Sequence, residues 1–144
     1  MPSVNKDQNM KIRYVTTDLD FESQEDLSPI VLEFGNQALP SHNNWTNDKY
    51  FVVLASASNH DEPEKTIAEF CDLIEGLSSK SKKKWYRCQK RVADIAFESG
   101  ETPNNLSCQL SESLISRLNT LKISIVITIY PIGHYSYLPI ENQA

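Results

Sequence analysis

The chain has 144 residues, of which 40% are hydrophobic and 23% charged, and a formal net charge of −5. That is the size and balance of one globular domain with chain enough for a single substantial core. Four glycines and seven prolines exclude a collagen-like or repeat chain, no apolar run reaches the ~18–20 residues of a membrane span, and the polar start Met1–Lys11 has no apolar signal segment, so a cytoplasmic location is expected.

The charge is unevenly spread. Residues 1–79 carry 5 Lys or Arg against 14 Asp or Glu, a net of −9, whereas residues 80–144 carry 9 against 5, a net of +4. Such asymmetry bears on partners rather than on fold. Cys71, Cys88 and Cys108 are as scattered as His42, His60 and His134, without the spacing of a disulfide framework or zinc site. Cys71 and Cys108 are expected as buried thiols, packing as small hydrophobes.

Residues 1–9 are expected as a flexible arm. Lys11–Thr17 alternates Ile12, Tyr14 and Thr16 against Arg13, Val15 and Thr17, the pattern of a first strand. An acidic stretch, Asp18–Asp26, follows, and no Lys or Arg lies between Arg13 and Lys49. Ser23, Glu25 and Asp26 resemble a helix start, where carboxylates favour the positive end of the dipole. Leu27, Ile30, Val31 and Phe34 then form a helical stripe closed by Gly35-Asn36, with Pro29 in the first turn; an extended Pro29–Phe34 is the alternative. Asn36–Asp48 is expected as a loop for its Asn, Ser and Pro, with Trp45 anchoring it to the core.

Lys49–Ser58 is apolar enough for a central strand. Asn59, His60 and Asp61 before Glu62, Pro63 and Glu64 make a good helix start, and Ile67, Phe70, Cys71, Ile74 and Leu77 place an amphipathic helix over Pro63–Leu77. Ser78–Arg91 holds seven of the fourteen basic residues and is expected as loop plus a helical turn or two. Val92–Glu98 is a third strand, Ser99–Asn105 a turn region, and Leu106–Leu110 a short extended piece. Ser111 caps a helix with Leu114, Ile115, Leu118 and Leu121 on one stripe. A last strand then alternates Ile123, Ile125, Ile127 and Ile129 with Ser124, Val126, Thr128 and Tyr130.

The order strand, helix, strand, helix, strand, helix, strand predicts an α+β domain over residues 10–132: a single sheet of about four strands with helices on one face, of ferredoxin-like or split βαβ type. Residues 133–144 are expected as a tail covering the domain. Strand pairing is not fixed by the pattern.

The strand end with Asp18-Leu-Asp-Phe21, the helix ending in Gly35, Trp45 before a strand, the long helix and the closing Gln109–Pro131 together resemble a bacterial family of small α+β proteins, domain-of-unknown-function family 4279. The resemblance covers residues 10–132, and its most specific part is the final helix–strand pair. Lys80–Arg91 and the tail depart from the pattern. The family name carries no activity, so the resemblance implies a fold and no catalytic residues.

Asp18-x-Asp20 with Glu22 has the oxygen ligands a hard cation needs, but no Gly turn or distal Glu completes a calcium loop; an acidic surface is the plainer reading, and no metal or cofactor is expected. Lys80, Lys82, Lys83, Lys84 and Arg87 with Trp85 combine charge and aromatics as a single-strand nucleic-acid platform does, though the acidic chain as a whole argues against it and a solvated basic helix end is the plainer reading. No nucleophile elbow, Cys–His motif or phosphate-binding Gly loop is present, so no enzyme is expected.

The expected function is therefore non-catalytic binding, most concretely by an immunity protein that neutralises a bacterial toxin through an acidic surface. Asp18, Asp20, Glu22, Glu25 and Asp26 form the first contact set and Asp61, Glu62 and Glu64 the second, facing a basic, nuclease-like toxin domain. The alternative is a nucleic-acid-binding or regulatory module using Lys80–Arg91.

Overall fold

The structure is a computed structural model and describes residues 11–135. The expected N-terminal arm and most of the expected covering tail lie outside the described residues. Within them, five strands form one mixed sheet, with β1 (Arg13–Ser23), β2 (Ala38–Thr46), β3 (Lys49–Ser56), β4 (Lys90–Glu98) and β5 (Ser124–Tyr130) in the order β2-β3-β1-β4-β5. The helices are α1 (Ser28–Phe34), α2 (Pro63–Glu75), α3 (Ser79–Arg87) and α4 (Glu112–Thr120), with a short 3-10 turn at Gly35–Gln37 after α1.

The pairings β1–β3, β1–β4 and β2–β3 are antiparallel, and β4–β5 is parallel. A parallel neighbour needs a crossover connection, which α4 supplies. β1 and β2 therefore run the same way with β3 between them, and β5 extends the sheet beyond β4. The sheet thus has five strands rather than about four.

The additional strand is β2, which falls in the stretch expected as loop. It lies at an edge, where Pro40 can go without a ladder donor, and the register shifts between Pro40 and His42. Asn47, with φ 55°, turns the chain between Thr46 and Lys49, a left-handed position that asparagine tolerates. β1 is also longer than expected. Its alternation continues through Asp18-Leu-Asp-Phe-Glu to Ser23, so the acidic stretch is strand and Ser23 is not a helix cap. α1 starts at Ser28, without a side-chain cap bond at its terminus and with Pro29 in its first turn.

Alternation decides which face of β1 meets the helices. Thr17, Leu19, Phe21 and Ser23 are buried, and Leu19 and Phe21 join Val52, Leu54, Ala93 and Ile95 from the neighbouring strands in the core. Ile30, Phe34, Ile67, Phe70, Cys71, Ile74, Leu114 and Leu118 meet them from the helices. Trp85 sits at the centre: fully buried, its ring edge-on to Phe21 at 5.1 Å between centroids, its indole N–H donating to the Leu121 carbonyl at 3.0 Å. One side chain thereby ties α3 to the sheet and to the end of α4, and satisfies its polar atom while doing so.

Three local expectations are corrected. Trp45 is 47% exposed and packs against Tyr50 on the sheet rim instead of anchoring a loop. Cys108 is exposed, while Cys88 joins Cys71 as a buried thiol. Of the isoleucine row, only Ile123, just ahead of β5, enters the core; Ile125, Ile127 and Ile129 stay exposed because β5 is an edge strand, and Ile115 of α4 is exposed as well.

Candidate functional site

The sheet face turned away from the helices is where charge collects. Asp18, Asp20 and Glu22 alternate with the core residues of β1 and so project to this face. β4 adds Asp94, the direct cross-strand partner of Asp18, and Val92, the partner of Asp20. Like charges directly opposite one another in a ladder are destabilising, so the Asp18–Asp94 pair is a cost the fold carries.

The electrostatics follow from that placement. Burial, and then the charge of Asp94, raises the pKa of Asp18. Burial, followed by the charges of Asp18 and Asp94, pushes Asp20 up to about 6, with Lys90 opposing. Thr128 on β5 donates to Asp94 Oδ1 at 2.8 Å. Asp20 Oδ1 is shielded from solvent without a hydrogen-bond partner among the described residues, an uncompensated polar atom of the kind that carries a penalty. At the rim, Lys49 lies 3.4 Å from Glu22 and Arg13 lies 3.1 Å from Glu98. Beyond β5, Tyr130, His134 and Tyr135 form an aromatic group, and the Tyr135 backbone N–H donates to Glu98. Burial, with Tyr130, Asp18, Asp94 and Glu98 adding to it, pushes the Tyr135 hydroxyl up to about 12.

The remaining sequence-predicted residues are elsewhere. Glu25 is paired with Arg87 by two hydrogen bonds, of 2.6 and 2.8 Å, which hold its pKa below the usual range. Asp26 accepts from the Ser28 backbone N–H at 2.8 Å. These two residues fasten the β1–α1 turn and do not extend the Asp18–Glu22 row. In the second set, Asp61 and Glu62 share Lys65, and Glu64 accepts from the Ser111 backbone N–H.

The basic run forms α3 and the start of β4. Trp85 is in the core and presents no face for a base to stack on, which corrects its place in the nucleic-acid contact set. Lys84 donates to the Asp26 carbonyl at 3.0 Å, Arg87 is held by Glu25, and Arg91 donates to the carbonyls of Lys122, Trp85 and Cys88. The side chains of Lys80, Lys82 and Lys83 have no hydrogen bond or ion pair among the described residues and remain as an exposed trio.

Sequence reading missed Asp94. Its only local signal is a carboxylate in mid-strand on the side opposite Ala93 and Ile95, and nothing local says that this strand lies beside β1. No group of three or more His, Cys, Asp or Glu among the described residues is arranged to hold a metal ion, and no helix among them is long and apolar enough to cross a membrane. Compared with protein-family models, curated proteins and solved structures, the chain matches none.

Proposed function

We propose that the protein is a non-catalytic binding protein whose open sheet face receives a basic protein partner. In its most concrete form it is a cytoplasmic immunity protein that neutralises a bacterial toxin. The observation that supports this reading is the convergence of Asp18, Asp20 and Glu22 from one strand with Asp94 from the next. Carboxylates that repel one another in the free protein gain most from a Lys or Arg brought to them, and the same field speeds encounter with a basic surface. The order β2-β3-β1-β4, with β5 added beyond β4, supports reading the unit as ferredoxin-like. The nucleic-acid alternative loses support with Trp85 in the core and Lys84, Arg87 and Arg91 already engaged.

The test begins with co-purification of the partner from the producing cells, followed by stopped-flow association at several salt concentrations. Asp18→Lys/Asp20→Lys/Glu22→Lys is expected to slow association at low salt by about tenfold or more, with a flatter salt dependence. Variant and wild-type rates that coincide at low ionic strength would remove the acidic face from the binding site.

A further inference from the structure

The edge strand β5 carries a second surface, distinct from the acidic one. No Asp, Glu, Lys or Arg occurs anywhere between Lys122 and Glu141, so the strand Ser124–Tyr130 has none of the charged or proline positions that keep sheet edges from pairing. Its apolar groups are out in solvent: Ile127 is 62% and Ile129 60% exposed, with Ile125 and Val126 less so. The opposite edge is different. β2 is bulged beside Pro40 and carries Asn43 and Asn44, which blunts it.

We propose that β5 is a homodimer interface, pairing antiparallel with β5 of a second copy about a twofold axis through Ile127. The strand's own sequence argues for that occupant. With the axis at its middle residue, Ile127 meets itself, Ile125 meets Ile129, Val126 meets Thr128 and Ser124 meets Tyr130. Each contact on the helix-side face is isoleucine on isoleucine, and no like charges are opposed anywhere along the strand. That self-complementarity is what an isologous twofold contact requires. For a chain of net charge −5, this charge-free edge is also where a second copy meets least repulsion. The turn after Tyr130 brings the Tyr135 backbone N–H to Glu98 of β4, on the side of β4 away from the free edge of β5. Because β2 is blunted, assembly stops at two copies, giving one continuous ten-stranded sheet. The helices of both copies then lie on one side and both acidic faces on the other, so neither Asp18, Asp20 nor Asp94 is covered.

Sedimentation equilibrium of the full chain tests this without reference to any toxin. At about 100 µM, a range that detects even weak pairing, the expected particle has twice the 16.4 kDa chain mass. Ile127→Lys is expected to return it to the single-chain mass with an unchanged far-ultraviolet circular dichroism spectrum. Leu32→Lys, at an equally apolar position 79% exposed on α1, is expected to leave the dimer intact. A wild-type chain of single mass overturns the proposal, as does a dimer lost through Leu32→Lys and kept in a folded Ile127→Lys variant. Recovery of a different protein on β5, with the free chain monomeric, overturns it too.

Discussion

Asp20 stands on the middle strand with Asp18 two residues before it and Asp94 one strand over, and burial with those two charges pushes its pKa up to about 6 from an ordinary 3.8. Between these values the folded protein keeps a proton that the unfolded chain has released. The group's stabilising share is therefore complete below about pH 4 and is lost as pH rises through about 6; Asp18 acts in the same direction. In urea titrations across pH, Asp20→Asn is expected to be more stable than wild type at pH 7 by about 1 kcal/mol, allowing for solvent screening of a partly exposed group. The two proteins should converge near pH 4, and a gap that persists there would mean the gain is not electrostatic. At this scale the alternation of Asp18, Asp20 and Glu22 with Leu19 and Phe21 was masked by the carboxylates themselves, which are depleted in strands and suggest a stretch leading into a helix. The Asp18–Asp94 opposition was not legible either, because strand pairing joins residues that no local pattern connects.

Between elements, short polar anchors do much of the fastening. Glu33 at the end of α1 accepts from the Ser78 backbone N–H at 2.7 Å and from the Ser78 and Ser81 hydroxyls, while Ser78 caps α3 by accepting from the Ser81 N–H. Arg117 of α4 reaches Asp72 and Glu75 of α2. Glu33→Ala is expected to cost about 1 kcal/mol in urea denaturation. Ser78→Ala should cost less in that background than alone, since both residues serve one network; additive losses would show that the cap and the carboxylate act separately. The amphipathic α2 was readable in full because Ile67, Phe70, Cys71 and Ile74 obey helical spacing. β2 was not, because an edge strand bonded on one side only tolerates the Pro40, Asn43 and Asn44 that otherwise spell a loop. The exposure of Ile127 and Ile129 was hidden for a related reason: an alternating apolar face reads alike in a central strand and at an edge.

Across the whole molecule, the division of charge between residues 1–79 and 80–144 does not survive folding as a division of space. α3, nearly all of it from the basic half, lies against the first half through Arg87–Glu25, Lys84 on the Asp26 carbonyl, and the Ser81 hydroxyl on Glu33. Lys84, Arg87 and Arg91 of the positive run are engaged internally, while Asp18, Asp20 and Asp94 are left without an ion pair among the described residues on the sheet face away from the helices. Net charge along a chain says how much must be accommodated; the sheet order decides where it is left over.

The placement of the two tryptophans also gives the protein a pair of separable optical signals. Trp85 is enclosed and hydrogen-bonded to Leu121, whereas Trp45 stands half in water beside Tyr50. Acrylamide should quench the red part of the native emission, from Trp45, and leave a blue component from Trp85. Loss of that blue component in urea then marks the moment when α3 leaves the sheet. With Trp45→Phe, the emission of the folded protein should become almost wholly blue and resistant to quencher, so that one ring at the centre of the core reports the folding of the entire chain.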